Sequence, residues 1–332
     1  MNSGLSKLYY FSQKAFQDYS NPLIYQIHDN NCTPALEEYY FIFNRRELLN
    51  GGSYNFAFDE NDIPMIKGHV ADTDGSFFYY PTAIGQFALA VFHDYLKHRK
   101  RDDKKLFLKL AEWFVDNASE QPGSDVIYWP DNQRTKLNVY DESKIQKLSS
   151  MGQSRTISVL LRAFQLTEER KYRDRADQAV LAYQNPPEKG GFMFKENDLI
   201  LFEEPNRAKV LNHLIFSIFG LHDYCRDLGF NTDLNALLKR SIASIKKIIP
   251  NYDCGWWSLY DDYYEEGQRR FNPCTRHYHH IHIQQLSVLS TITGDSYFKE
   301  TANKWRAYDK SAARRFRMLF HKSITVKKMK RL

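Results

Sequence analysis

The stretch RHYHHIHIQQL, Arg276 to Leu286, holds four of the chain's eleven histidines and one tyrosine. Such a cluster suits a metal ion, a proton-transfer site, or the core-facing end of a helix. His279 and His282 stand three apart, so on a helix they share a face. A metal needs a third ligand, and no HExxH pattern supplies the glutamate of a metalloprotease, so no metal is expected. Tyr278 is the more informative residue. Eighteen positions upstream stands Tyr260, in the segment WWSLYDDYY. A phenol titrates near 10, and serves as base or acid only where cations favour its charged form. Arg276, His279 and His282 are the neighbours that would do so. A further acidic pair, Glu203-Glu204, closes another loop. The bland alternative for each tyrosine is packing with one hydroxyl hydrogen bond.

These residues need elements to hold them. From Pro81 the apolar residues Ile84, Phe87, Ala88, Val91, Phe92 and Tyr95 follow the helical period. Similar runs recur at Leu106–Val115, Thr156–Leu166, Tyr172–Tyr183, Val210–Tyr224, Leu234–Ile248, His282–Thr293 and Tyr297–Tyr308. A large apolar residue followed four positions later by a small one repeats at Phe107/Ala111, Tyr172/Ala176, Leu237/Ser241 and Phe298/Ala302. The small members are 65, 65 and 61 residues apart, room for two helices and a long connection. Four such hairpins closing on themselves make an α/α barrel, a toroid of helical hairpins; a linear array is the alternative. The fold class is therefore mainly α. Residues 1–75 read as a short N-terminal region of strands and loops, 76–312 as the barrel and 313–332 as a basic C-terminal tail. The connections 124–134, 189–205 and 252–271 are long, polar and aromatic, as functional loops are.

Bulk properties exclude several classes. Charge is +6, partly from the tail, without which the body is close to neutral; no broad basic stripe marks a nucleic-acid binder. The tail reads as a frayed solvated terminus or as a contact for anionic lipid. The four cysteines form no CxxC pair, and neither a signal peptide nor an 18-residue apolar run is seen, which points to a cytoplasmic protein, with the tail able to hold it at the inner membrane face. No GxGxxG, Walker loop or GxSxG elbow occurs, so no cofactor is expected. Aromatic residues make up 15% of the chain; flat rings suit sugar binding as well as a core.

The segments SSMGQSRTISVLLRAFQLT, VLNHLIFSIFGLHDY, SLYDD and YHHIHIQQLSVLSTITGDSYFKETANKW resemble the C-terminal domain of the glucuronyl 5-epimerases, with a weaker extension to FFYYPTAIGQFALA. The likeness implies an α/α barrel, no redox cofactor and a homodimer. It implies inversion of carbon 5 of D-glucuronate residues to L-iduronate within a heparosan-type polysaccharide, by proton abstraction on one face and return on the other. Tyr260 and Tyr278 match two tyrosines of the family's cleft, with Glu203 and Glu204 in the neighbouring acidic motif. Arg276, His279, His282, Gln153, Arg207 and Tyr80 fall in or beside matched segments as substrate contacts. The chain departs from the family at Phe202-Glu203-Glu204-Pro205, where Glu-Glu-Tyr-Pro is expected, and at Tyr263, where an arginine is expected. The carboxylate clamp then falls to Arg207, Arg269, Arg270 or Arg276. A uronate lyase and a non-catalytic glycan-binding protein are the alternative readings.

Overall fold

A computed structural model describes residues 19–20, 24–28, 35–50, 56–67, 77–120, 123, 125–130, 148–203, 208–230, 232–265 and 267–328. After a short helix α1 (Arg45–Leu49) come four helical hairpins: α2 (Pro81–His98) with α3 (Arg101–Asp116), α4 (Ser150–Thr167) with α5 (Arg170–Val180), α6 (Leu211–Asp227) with α7 (Asp233–Ile248), and α8 (Arg276–Thr293) with α9 (Ser296–Asp309). Three of the hairpins turn sharply because the first helix ends in a left-handed residue, Arg99, Glu168 or Gly294, which exposes the last carbonyls to capping and starts the partner two residues on.

The first helix of each pair is an inner one. Helix α4 packs on α2 and α6, and α6 packs on α8. The inner helices are buried nearly all round; in α2 every residue from Pro81 to His93 is buried. The outer helices α3, α5, α7 and α9 bury one stripe each. That is an α/α barrel. The large–small repeat lies on these outer stripes: Phe107, Ala111, Tyr172, Ala176, Ser241, Phe298 and Ala302 are all buried. In α7 it is Leu238 rather than Leu237 that enters the core.

Small residues let α4 and α6 approach closely. A Cβ on Gly220 would lie 2.5 Å from the Ser154 carbonyl oxygen, and Ser154 Oγ donates to the Phe216 carbonyl at 2.7 Å. Lower in the same interface the Arg162 guanidinium meets Asp223 at 2.7 Å with neither side chain exposed. Tyr40 donates to the other Asp223 oxygen at 2.7 Å, so the buried carboxylate is compensated twice.

Before α2 the described residues carry short strands, β1 (Gln26–Ile27) paired with β2 (Phe41–Ile42), and β3 (Phe56–Phe58), β4 (Pro64–Lys67) and β5 (Phe77–Phe78) in one sheet, and this region does two jobs. Residues Tyr39, Tyr40, Phe41 and Phe43 plug one end of the barrel: Tyr40 stacks on Phe219 at 4.5 Å and Phe41 lies 5.0 Å from Phe216. The backbone of this plug is gripped by the far ends of the inner helices, with Arg162 Nε donating to Glu37 O and Arg226 to Ala35 O. Tyr25 bridges the first and last inner helices: its hydroxyl accepts from Gln86 on α2 at 3.3 Å and its carbonyl accepts from Gln284 on α8.

With one end plugged, the open end lies at the N-termini of the inner helices. There every outer-to-inner connection forms an antiparallel hairpin: β6 (Ser119–Glu120) with β7 (Ile127–Tyr128), β8 (Met193–Glu196) with β9 (Leu199–Phe202), and β10 (Tyr264–Glu265) with β11 (Gln268–Arg269). A three-stranded sheet of Phe56–Phe58, Pro64–Lys67 and Phe77–Phe78 precedes α2 at this end.

Among its described residues, the basic tail is ordered into an element rather than frayed. Ala312–Lys328 form a helix, α10. Its Thr325 hydroxyl donates to the Phe271 carbonyl at 2.9 Å, Lys322 donates to Asn272 Oδ1 at 2.7 Å, and Arg317 lies 4.3 Å over the Trp256 ring.

Candidate active site

Tyr260 and Tyr278 meet at the open end of the barrel. Their ring centroids are 5.0 Å apart and their planes cross at 73°. Two elements place them. Tyr278 is the third residue of α8, so the helix start fixes it. Tyr260 sits on a ribbon in which Tyr260 N donates to Asn272 O at 2.8 Å and Cys274 N to Ser258 O at 3.0 Å. The carbonyl of Tyr260 accepts from Leu211 N, the first residue of α6, at 3.1 Å. The phenol is thereby held between two inner-helix starts.

The histidines hold this ribbon down. His279 and His282 are fully buried, and both bring Nδ1 to Ser258 Oγ, at 2.7 and 3.1 Å. His279 Nε2 lies 2.9 Å from the Trp305 carbonyl, so Nε2 carries the proton and Nδ1 accepts from Ser258. Ser258 Oγ is left to accept from His282. His279 also stacks on Trp257 at 3.9 Å. Burial pushes the His279 imidazole down to about 3 and that of His282 well below its ordinary value, so both are neutral at neutral pH. Sequence reasoning had them touching substrate. In the structure they tie Ser258, two residues from Tyr260, to α8 and α9. Among the described residues no group of three His, Cys, Asp or Glu side chains could hold a metal ion.

The arginines expected to clamp a carboxylate are largely committed elsewhere. Arg276 forks onto Asp309 at 2.7 and 2.9 Å and donates its remaining nitrogen to Tyr19 O. Burial alone would raise the Asp309 carboxyl, but hydrogen bonds from His280 and Arg276 hold it well below the carboxylate range. Arg270 pairs with Asp261 at 2.5 Å and Arg269 with Asp262 at 2.7 Å. Arg207 and Glu204 lie outside the described residues. Glu203, at the end of β9, is buried and accepts from the backbone of Lys209. Gln153 is buried in the first turn of α4, its amide nitrogen donating to Ile127 O at 2.7 Å and Ala179 O at 3.0 Å; its oxygen has no partner among the described residues. Tyr80 caps the start of α2 and is half-buried.

Two cations that sequence reasoning did not single out are better placed. The Lys322 ammonium, reaching in from α10, lies 5.4 Å over the Tyr260 ring. Arg155, in the second turn of α4, is 3% exposed and pairs with no carboxylate among the described residues. It donates to Thr82 O at 2.9 Å and Gln86 Oε1 at 3.1 Å and faces the rings of Phe43 and Phe216. Burial, and Arg155 after it, push the His213 imidazole down to about 4, so His213, in the first turn of α6, is a neutral group at this end. A buried cation lacking an anion is a costly arrangement.

Residues 124–307 match the family described as the D-glucuronyl C5-epimerase C-terminus, over half of the chain. The chain belongs to that family. At the level of class, membership identifies a carbohydrate epimerase. Among the family's relatives, an uncharacterized protein of Methanocaldococcus jannaschii is 29% identical over 245 residues, which is 68% of this chain and 76% of that protein. The D-glucuronyl C5-epimerase of Caenorhabditis elegans is 26% identical over 228 residues, 64% of this chain and 36% of that protein, so the match spans little more than a third of the nematode enzyme. In fold, the chain is similar to a cellobiose 2-epimerase from Bacillus thermoamylovorans, with a TM-score of 0.55 and 11% identity over 80% of this chain and 68% of that one. At that identity the likeness concerns architecture alone.

Proposed function

We propose that this epimerase inverts carbon 5 of D-glucuronate residues within a polysaccharide, giving L-iduronate. The observation that carries the reading is the direct contact of Tyr260 with Tyr278 at the mouth of the barrel, with Lys322 against the first. The hydrogen at carbon 5 is alpha to a carboxylate and very weakly acidic. Its removal puts further charge on an anionic group, so the site must neutralise the carboxylate first. The starts of α2, α4, α6 and α8 converge here, each with its positive dipole end toward the cleft. Arg155 adds a full positive charge behind them, and Lys322 supplies charge where a phenolate would form.

One phenol, as phenolate, takes the proton from carbon 5, and the electron pair delocalises into the carboxylate. The other phenol returns a proton to the opposite face, and no bond to a leaving group breaks. Because the rings touch, no sugar fits between them; carbon 5 must lie across the rim where their planes cross, with one hydroxyl on each side. Exposed Tyr264 on β10, at 58%, supplies a flat ring at the rim for stacking on a neighbouring sugar.

The test is incubation with a glucuronate polymer of the heparosan type in deuterated water. Deuterium at carbon 5 together with an iduronate signal is the expected result, abolished in Tyr278→Phe. Ultraviolet absorbance from an unsaturated uronate would instead mean β-elimination, and binding without exchange would mean a glycan-binding protein. Full exchange in the Tyr278→Phe variant would remove the phenol from the mechanism.

A further inference from the structure

Helix α10 presents two unlike faces. Inward, Met318 and Thr325 are buried, and Lys322 and Thr325 grip the ribbon that carries Tyr260. Outward, Phe316, Phe320 and Ile324 are 70%, 59% and 38% exposed. They stand four apart, so they form one continuous apolar stripe. Contiguous exposed apolar side chains on one face, rather than scattered single ones, are what mark an interaction surface.

Charge identifies the occupant. Residues 310–332 contain Lys310, Arg314, Arg315, Arg317, Lys322, Lys327, Lys328, Lys330 and Arg331, and no Asp or Glu. These nine account for more than the whole excess: the rest of the chain has 37 bases against 40 acids. A second copy of the chain is disfavoured as the partner, because a symmetric contact would bring two such segments together. A free polyanion would satisfy the bases but leave the rings in water. A surface that is both negatively charged and apolar beneath satisfies both.

We propose that the outer face of α10 docks on an anionic lipid surface, with Phe316 and Phe320 entering the headgroup boundary and the bases of the segment, other than the inward-turned Lys322 and Arg315, resting on the lipid phosphates. Docking leaves the inner face of the helix on the Tyr260 ribbon, so the proposal stands independently of the reaction assigned above.

The experiment is co-sedimentation of the full chain with phosphatidylcholine vesicles, with and without roughly 30% phosphatidylglycerol. Binding is expected only with the anionic lipid, and should fall when salt rises from about 0.1 M to about 0.5 M. Phe316→Ser/Phe320→Ser should weaken partitioning by about tenfold, with an unchanged melting temperature, since both rings are solvent-exposed. Three results overturn the proposal: equal binding to neutral vesicles, undiminished binding by the serine variant, or a wild-type dimer that the serine substitutions dissociate while vesicle binding persists. Retention on a polyuronate column lost in the serine variant, without vesicle binding, would assign the face to glycan instead.

Discussion

Two buried arginines on one helix make a controlled comparison. Arg162 and Arg155 both lie in α4, seven residues apart, and both are withdrawn from solvent. Arg162 neutralises Asp223 at 2.7 Å, so Arg162→Met strands a buried carboxylate and should cost about 3–5 kcal/mol. With an unfolding entropy of ~2 cal/mol/K per residue, that is a fall in Tm of about 4–7 °C. Arg155→Met loses contacts with two rings, about 1 kcal/mol each, and two hydrogen bonds to neutral acceptors, ~1 kcal/mol each. It also removes an ion that has no carboxylate partner among the described residues and whose desolvation costs several kcal/mol. These nearly cancel, and the variant should melt within about 2 °C of the parent. Function should sort the other way. As the buried charge behind the helix starts, Arg155 favours the substrate carboxylate, and its loss removes a charged interaction of ~2–4 kcal/mol, lowering kcat/KM about 30- to 1000-fold, most of it in KM. Differential scanning fluorimetry and tritium or deuterium exchange from carbon 5 measure the two halves. Equal destabilisation by the two substitutions, or Arg155→Met exchange within about twofold of the parent, would refute the reasoning.

Ser258→Ala deprives His279 and His282 of their shared partner and should cost about 2–4 kcal/mol, with exchange activity falling further because the Tyr260 ribbon loosens; urea unfolding and single-turnover exchange measure these. Lys322→Met should lower kcat about tenfold with KM little changed, and should move the limb on which activity rises with pH to higher pH, because a cation that favours the phenolate is gone; Lys322→Arg should restore part of the rate. Acid should destabilise the fold through its buried neutral histidines. His93 and His279 are both pushed down to about 3 by burial, so the unfolded chain binds the extra proton below its ordinary value. Stability contributed by each is therefore whole above that value and is lost as pH falls, by roughly 2 kcal/mol per histidine between about pH 7 and pH 5. Urea midpoints across that range should show it, with one proton less of pH dependence in His279→Gln.

The outer half of the barrel was legible because each outer helix shows solvent one face and the core another. Phe107, Tyr172 and Phe298 could announce their stripes only for that reason. Inner helices carry no such contrast. Helix α4 buries Ser150, Gln153, Ser154, Arg155 and Thr156 alongside its aliphatic residues, so its polar positions look like surface until the neighbours are known. Tyr260 and Tyr278 were identifiable as a pair, yet their contact depends on a ribbon whose ladder no local pattern reveals. Ser258 was invisible, since nothing in the chain links it to histidines more than twenty residues on. Lys322 was missed for a different reason. A run of bases at a chain's end reads as solvated charge, and only the fold shows that one of them turns inward over a phenol.

The bridge at Tyr25 sets a timetable for biosynthesis. Its partner Gln284 lies 259 residues further along the chain. At ~5–20 residues per second, the interval between their leaving the ribosome is about 13 to 50 s. Throughout it the ring of helices stays unlatched at Tyr25, while the aromatic plug of Tyr39, Tyr40, Phe41 and Phe43 already has its partners on α4 and α6. A segment made early is thus among the last secured, and closure of the ring waits for the final hairpin.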